Sequence, residues 1–274
     1  MPGAEVRWMG YDGYVLRSLY RPADARTPAG RPERGLVARL AMGAVAAVVV
    51  AVPFTLLMLL VLSEWEPLDR LDRGVADDLN KAVRDDPTVV DALEVTAVVT
   101  SPWFFRITVL ATAVWLWRRQ ARRLALWAVV TAAVGGTLGV LLKLLVERSR
   151  PAFPEPVASA SGYSFPSGHA LNSMLCVGIL ILVFLPVLTR RGKTVAYSVG
   201  AALVLLTGYD RIALGVHYVS DVIAGWAVAL ATIAGTAIAF EVWRREHGRR
   251  PSTVEEGVEP EAAASISDPP TATE

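Results

Sequence analysis

The segment LAMGAVAAVVVAVPFTLLMLLVL, residues 40–62, is 23 residues long and contains no charged side chain. An α-helix rises about 1.5 Å per residue, so this segment is long enough to cross a hydrocarbon core of about 30 Å. The rest of the 274-residue chain is similar in character, with 53% hydrophobic residues and a mean hydropathy of +0.42. These observations predict a membrane protein built from helices.

Five more apolar segments follow. They cover residues 103–117, 124–146, 171–188, 195–209 and 218–243. We therefore predict an all-α, polytopic helical bundle with six transmembrane helices over residues 40–243, between an amino-terminal tail, 1–39, and a carboxy-terminal tail, 244–274. After residue 250 the second tail is rich in Pro, Ala, Ser, Thr and Glu, which predicts disorder.

The second predicted span is the weakest, since it is short and carries Arg106. It gains length only if its helix extends back through Pro102 into residues 89–101, and the sequence leaves that open. A separate crossing there is disfavoured by Asp91 and Glu94, because an acidic residue at the centre of a span costs about 2.5–3.5 kcal/mol.

Charge in the connections predicts the orientation. Connections 118–123 and 189–194 and the segment after the last span are rich in arginine and lysine, whereas residues 63–102 contain ten acidic and four basic residues. Basic connections stay on the cytoplasmic side. We predict a multi-pass protein of the cell membrane with both termini in the cytoplasm.

Overall charge and cysteine content exclude other classes. A formal net charge of +1 gives no basic surface for nucleic acid. The single cysteine, Cys176, can form neither an intramolecular disulfide nor a cysteine-based metal cluster. No internal repeat is evident, which disfavours a transporter made of inverted repeats.

A first group of ionisable residues follows the third span, in KLLVERSRP, residues 143–151. Lys143 and Arg150 are seven residues apart, so they share a helix face if the helix continues to Arg150. Pro151 favours an end to the helix near that point. Alone, these cations are equally compatible with anchoring at the membrane interface.

A second group, Pro166-Ser167-Gly168-His169, precedes the fourth span. Ser167 is placed to cap a helix whose first N–H groups would face outward, where they can bind phosphate. Gly168 allows close approach of an anion, and His169 can exchange a proton near neutral pH. A plain capping turn is the structural alternative.

A third group, Arg211, His217 and Asp221, precedes the last span. On a helix, the four-residue spacing would place the Asp221 carboxylate beside the His217 imidazole. Such a carboxylate can fix the tautomer and stabilise a cationic ring. A structural hydrogen bond is again the alternative.

The predicted topology puts all three groups on the extracytoplasmic side. Together they provide three cations, neutral donors and two histidines, which are the groups that phosphoryl transfer requires. No carboxylate cage for Mg²⁺ and no three-histidine zinc site is evident, so we predict no metal and no other cofactor.

These three motifs resemble the signature of the type-2 phosphatidic acid phosphatase superfamily, which includes bacterial acid phosphatases and vanadium haloperoxidases. That signature is Lys-x6-Arg-Pro, Pro-Ser-Gly-His and Ser-Arg-x5-His-x3-Asp. The chain matches it throughout except at Asp210, where the family usually has serine.

The resemblance implies roles for the matching positions. His217 would be the nucleophile, oriented by Asp221, and His169 would protonate the leaving group and then activate water. Phosphate would be bound by Lys143, Arg150, Ser167, Gly168 and Arg211. The implied activity is that of a metal-independent lipid phosphatase with a phosphohistidine intermediate, embedded in the bilayer. Its substrate would be phosphatidate, phosphatidylglycerol phosphate or a polyprenyl diphosphate, for example undecaprenyl diphosphate.

Three alternatives stay open at this point. The protein could transfer the phosphoryl group to an acceptor other than water. It could be a non-catalytic protein that binds or transports lipid, which the presence of both histidines disfavours. It could also be a metal-dependent hydrolase.

Overall fold

The computed structural model describes residues 51–154 and 156–267, which belong to a unit formed by residues 42–274. The predicted amino-terminal tail and the first part of the first predicted span lie outside the described residues. The described residues form helices and no strands, as the sequence predicts. The α-helices are α1 (Ala51–Leu62), α2 (Glu66–Arg84), α3 (Pro87–Val99), α4 (Pro102–Arg118), α5 (Arg122–Val146), α6 (Gly168–Phe184), α7 (Arg190–Ala213), α8 (Val219–Glu246) and α9 (Ala263–Ser267).

Local sequence explains where the helices near the second predicted span begin. Asp86 caps α3 by accepting from two main-chain N–H groups, and Ser101 caps α4 by accepting from the N–H of Phe104. Each helix then starts with a proline, whose missing N–H costs nothing at that position. Pro102 therefore marks the start of α4, and residues 87–99 form a helix of their own just before it.

Helix α6 is the centre of the bundle, where it packs against α4, α5, α7 and α8. Its buried residues Leu171, Leu175, Ile179 and Val183 recur every four residues and form part of the main apolar core. This spacing places them on one helix face. The amino-terminal end of α6, which carries the Pro-Ser-Gly-His motif, is thereby held among its neighbours.

A close contact between α8 and α6 fixes that end. A Cβ atom added to Gly225 of α8 would lie 2.7 Å from the carbonyl oxygen of Ser167 and 3.0 Å from the nitrogen of Leu171. Both atoms belong to the backbone, so they cannot move aside as a flexible side chain can. Gly225 thus lets α8 approach the start of α6.

We expect Gly225→Ala to lower the free energy of unfolding by about 1–3 kcal/mol, the usual cost of overpacking a well-packed site. The matched control is Gly235→Ala in the same helix, because a Cβ atom there would meet nothing within 4 Å. Alanine is favoured over glycine inside a helix by about 0.5–1 kcal/mol, so the control should be neutral or stabilising. Thermal unfolding in detergent measures the stability of both variants. If both substitutions changed stability equally, the close approach of α8 to α6 at Gly225 would be contradicted.

The structure supports a membrane protein. Many large apolar side chains are exposed, among them Ile107, Leu110, Leu141 and Leu144 on α4 and α5, and such surface fits contact with lipid. Among the described residues, three helical segments are long and apolar enough to cross a bilayer, namely Pro87–Arg118, Arg122–Val146 and Val219–Glu246. Helices α1 and α2, bent by 89°, make a fourth if they count as one span, and α6 is apolar but shorter. The count of six spans is not confirmed.

The carboxy-terminal segment is ordered over part of the region for which the sequence predicts disorder. Residues 254–267 contain two 3₁₀ turns and α9, and Val258, Ala262 and Ile266 are buried in the main core. The buried Arg244 guanidinium binds Glu261 of this segment at 2.6 Å. The prediction of disorder is wrong for these residues because an apolar face and an ion pair attach them to the bundle.

Candidate active site

The three predicted groups meet at one end of the bundle, where α5 and α7 end and α6 and α8 begin. The N–H of Ser167 donates to the carbonyl of Asp221 at 2.9 Å, which joins the second group to the third. Arg150 lies 3.1 Å from the His217 ring, which joins the first group to the third. Residues far apart in sequence are therefore in direct contact.

His217 and Asp221 form a buried pair, but not through the helical spacing that the sequence predicts. Helix α8 begins at Val219, so His217 precedes it, in the connection from α7. The Asp221 carboxylate turns back over the first turn of α8, where Oδ2 accepts from the N–H of Tyr218 at 2.9 Å and lies 3.4 Å from Nδ1 of His217. The pair is correct and its predicted geometry is wrong, because a capping turn brings the two side chains together.

The neighbours of the ring determine its tautomer. Nε2 of His217 lies 3.1 Å from Nη1 of Arg150, and a guanidinium can only donate, so Nε2 must be the acceptor. The proton is then on Nδ1, facing Asp221. Burial lowers the pKa of the His217 ring to about 4, although Asp221 favours the charged form. The ring is thus neutral at pH 7, with a lone pair on Nε2.

Arg150 uses all its donors. Its Nε donates to Gly162 O at 2.9 Å, Nη1 to Val216 O at 2.7 Å, and Nη2 to Ser161 O at 3.1 Å and Tyr163 O at 3.4 Å. With the contact to Nε2 of His217, all five N–H groups of the guanidinium have an acceptor. Main-chain carbonyls of residues 161–163 therefore surround this cation.

Lys143 joins Arg150 at the same loop, although not on a shared helix face. Helix α5 ends at Val146 and Glu147 adopts a left-handed conformation with φ 50°, so Arg150 lies beyond the helix. The Nζ of Lys143 donates to Tyr163 O at 2.5 Å, the same carbonyl that Nη2 of Arg150 approaches. A shared helix face required the helix to continue to Arg150, and that condition is not met, because the helix ends before Arg150.

The start of α6 has the predicted cap. Ser167 is the N-cap, and its hydroxyl accepts from the N–H of Ala170 at 3.4 Å. A Cβ atom on Gly168 would meet nothing within 4 Å, so the space beside its backbone is open to a ligand. His169 is half-buried in the first turn of α6, and the charge of Arg211 acts on its ring. Because Ser167 at the start of α6 contacts Asp221 at the start of α8, both histidines lie at the same end of the bundle.

Arg211 is buried at the end of α7 and paired with the residue that departs from the family pattern. Its Nε donates to Oδ2 of Asp210 at 2.8 Å, and its Nη2 contacts the same oxygen. Part of the positive charge of Arg211 is thus compensated within the protein. A serine at position 210 would leave that charge available to a ligand.

Sequence reasoning assigns no role to a second set of polar residues near the site. Arg148 binds Asp221 and also Asp72 of α2, while Arg106 of α4 donates to Asn172 near the start of α6 at 3.1 Å. Arg148 and Arg106 were visible only as charges near predicted spans. Their partners lie 66 to 76 residues away in sequence, so no local pattern connects them.

Within residues 51–154 and 156–267, no three His, Cys, Asp or Glu side chains converge into a group that could hold a metal ion. The charged groups nearest to His217 are instead those of Arg150 and Asp221. The arrangement can bind an anion through cations and N–H groups, next to a neutral imidazole whose Nε2 lone pair accepts from Arg150.

Comparison with known proteins identifies the family. The PAP2 superfamily matches residues 124–245. Phosphatidylglycerophosphatase B of Bacillus subtilis (strain 168) is 40% identical over 97 residues, which cover 34% of this chain and 46% of that protein. Decaprenylphosphoryl-5-phosphoribose phosphatase of Mycobacterium tuberculosis (strain ATCC 25618 / H37Rv) is 33% identical over 134 residues, which cover 47% of this chain and 68% of that protein.

A solved structure has the same fold. The crystal structure of the transmembrane PAP2-type phosphatidylglycerolphosphate phosphatase from Bacillus subtilis matches with a TM-score of 0.58 and 22% identity, over 73% of this chain and 97% of that one. The resemblance that the three motifs carry is confirmed, and the chain belongs to the PAP2 superfamily.

Proposed function

We propose that this protein is an integral membrane phosphatase that hydrolyses a lipid phosphate monoester or diphosphate through a phosphohistidine at His217. The observation that carries the proposal is the state of the His217 ring. Its Nδ1 faces a buried carboxylate, and its Nε2 lone pair lies 3.1 Å from a cation that would attract a phosphoryl group. Nε2 becomes available for attack when a substrate oxygen takes over the Nη1 contact of Arg150, and Asp221 keeps the neutral ring oriented as the nucleophile.

In the first step, Nε2 of His217 attacks phosphorus and the bond to the leaving oxygen breaks. His169, which enters this step as its protonated imidazolium, donates a proton to that oxygen, which departs as the alcohol or the shorter phosphate. The phosphorylated ring keeps its Nδ1 proton and is cationic, and Asp221 compensates that charge. In the second step, His169 takes a proton from water, the water oxygen attacks phosphorus, and inorganic phosphate leaves with His217 neutral again.

The phosphoryl oxygens would be held by Lys143, Arg150 and Arg211, together with the Ser167 hydroxyl and the N–H of Gly168. Charge on these oxygens changes most during the reaction, so fixed cations and N–H groups provide the main stabilisation. No step requires a metal ion. The half-buried Lys143 and the buried Arg211 would act with little screening by water.

The membrane and the relatives support a lipid substrate. The site lies at the ends of apolar helices, where a charged headgroup can reach it while the hydrocarbon chain stays in the bilayer. The relatives named above are a phosphatidylglycerophosphatase and a decaprenylphosphoryl-5-phosphoribose phosphatase. We propose a substrate from the same class, namely a polyprenyl diphosphate, phosphatidate or phosphatidylglycerol phosphate, hydrolysed on the extracytoplasmic side.

The proposal is tested with detergent-purified full-length protein and a panel of these lipid phosphates. We expect release of inorganic phosphate without added acceptor, unchanged in excess chelator and inhibited by vanadate. Failure of every lipid would refute the phosphatase. Phosphate release that needs an added alcohol would indicate a transferase, and activity lost in chelator and restored by Mg²⁺ would refute the metal-free mechanism.

The pH dependence tests the state of His217, which lies outside the spanning segments. Because its pKa is about 4, below the ordinary 6.5, Nε2 keeps its lone pair down to about pH 4. As the pH falls through that value the ring gains a proton on Nε2 and cannot attack. We expect kcat/KM, corrected for ionisation of the substrate, to fall near pH 4. A fall near pH 6.5 would contradict burial of the ring.

A further inference from the structure

The strongest unexplained feature near the site is a buried group of charges, Arg148, Asp72 and Asp221, that reaches His217 only through Asp221. Arg148 follows α5, and its Nη1 donates to Oδ1 of Asp221 at 2.8 Å and to Oγ of Ser220 at 2.7 Å. Its Nη2 donates to Oδ2 of Asp72 at 2.9 Å. The side chains of Asp72 and Asp221 are fully buried, and that of Arg148 is 13% exposed.

The two oxygens of Asp221 have separate partners. Oδ2 faces Nδ1 of His217 and accepts from the N–H of Tyr218, whereas Oδ1 is held by Arg148. A carboxylate bound at both oxygens cannot rotate about its χ2 bond without losing a hydrogen bond. Arg148 therefore fixes the orientation of the carboxylate toward the His217 ring.

Asp72 holds the same assembly from a distant helix. Its Oδ1 accepts from the N–H of Ser220, in the first turn of α8, at 3.0 Å, and its Oδ2 accepts from the Ser220 hydroxyl. Asp72 thus anchors both the guanidinium of Arg148 and the turn that carries Asp221. The guanidinium also stacks on the Tyr218 ring, 4.2 Å from its centroid.

The net charge of this group affects the charge balance of the reaction at His217. Two carboxylates and one guanidinium leave a net charge of minus one in a buried site. When His217 carries a phosphoryl group its ring becomes cationic, and the ring and the group together become neutral. Without Asp72, the same group would be neutral before the reaction and positive after it, which is less favourable at low dielectric.

We infer that Arg148 and Asp72 are positioning residues that orient Asp221 and thereby set the tautomer and nucleophilicity of His217. This inference rests on the proposed function only for its kinetic consequence. The orientation of the His217 ring is a property of the free protein. Among the described residues, neither side chain forms a hydrogen bond or ion pair with a phosphate-binding group, so both act through Asp221.

The kinetic test compares Asp72→Asn and Arg148→Lys with Asp77→Asn. Asp77 is the matched control, because it lies on the same helix and forms an ion pair with Lys81 that is partly exposed. We expect Asp72→Asn and Arg148→Lys to lower kcat about 10–100-fold, as loss of a partner that orients a functional side chain does. KM should change little, and Asp77→Asn should match the wild type.

A double-mutant cycle separates positioning from a structural role. In an Asp221→Asn background, adding Asp72→Asn should lower kcat by less than about 2-fold. Asp72 acts through the Asp221 carboxylate, which this background already lacks. An equal fold-loss in both backgrounds would overturn the inference. So would a loss of kcat in Asp72→Asn that disappears when rates are expressed per folded protein, with folding measured by thermal unfolding.

A readout independent of turnover separates this inference from the proposed function. In ¹⁵N-histidine-labelled protein in detergent, the signal of His217, assigned by its loss in His217→Ala, should report a proton on Nδ1. We expect this signal to shift in Asp72→Asn and Arg148→Lys and to stay in place in Asp77→Asn. An unchanged signal in the first two variants overturns the inference, whether or not the protein hydrolyses any lipid phosphate.

Discussion

Replacement of His217 by alanine is expected to reduce phosphate release from a lipid phosphate by roughly 10⁴–10⁶-fold, the scale of loss when a nucleophile is removed from an enzyme. The alanine side chain cannot form the covalent intermediate. The measurement is inorganic phosphate release together with acid-quench trapping of radiolabelled phosphoenzyme. Both signals should be absent in the variant.

The matched control for this prediction is His247→Ala. His247 is exposed at the end of α8, where its Nδ1 lies 2.8 Å from the carbonyl of Trp243. It is far in sequence from every motif of the site, and its loss should leave turnover unchanged. A His217→Ala protein that unfolds at the temperature of the control and still releases phosphate would disprove the assignment of the nucleophile.

Replacement of His169 by alanine is expected to lower turnover of a lipid phosphate by about 10²–10⁴-fold, the usual contribution of general acid–base catalysis. The expected loss depends on the leaving group. An alcohol needs a proton as it departs, whereas an acidic phenol does not. With an aryl phosphate, the His169→Ala protein should therefore still form the phosphohistidine.

The second step distinguishes His169 from other acids. Without a base to activate water, the phosphohistidine should accumulate, so rapid-quench kinetics should show a burst of phenol equal to the amount of enzyme, followed by a slow phase. Radiolabelled phosphate should remain bound to the protein. If alkyl and aryl phosphates lost rate equally and no burst appeared, another group would be the acid.

Much of the site was predictable from sequence because its motifs are local. The Ser167 cap follows from its position before an apolar run, and the structure confirms it. The helical class follows from the length of the apolar segments. In contrast, the contact of Lys143 and Arg150 through one loop carbonyl depends on where α5 ends, and a single left-handed residue, Glu147, decides that.

Long-range partners could not be predicted. Asp72 is one of ten acidic residues in 63–102, and the sequence offers no reason to choose it over its neighbours. Its burial and its contacts with Arg148 and Ser220, both far away in sequence, distinguish it. Pairing of this kind is a property of tertiary packing.

For the carboxy-terminal segment, the sequence analysis predicts disorder where the structure has helical turns. Its composition favours disorder, but the buried residues Val258, Ala262 and Ile266 recur every four positions. That spacing is typical of one helix face. Three small or medium apolar residues among prolines and glutamates are weak evidence for a packed helix. The bundle that they pack against is formed by other parts of the chain, so the local sequence does not reveal it.

The full set of acceptors around Arg150 has a consequence for selectivity. Since every donor of this guanidinium is already engaged, a phosphate that binds it exchanges partners and gains only the difference in strength between old and new hydrogen bonds. A doubly charged monoester oxygen is a much stronger acceptor than an amide carbonyl, whereas a singly charged diester gains less from the exchange. The carbonyl groups of residues 161–163 would in this way compete with the substrate for Arg150. A terminal phosphate would displace them, whereas the bridging phosphodiester of an ordinary phospholipid would not.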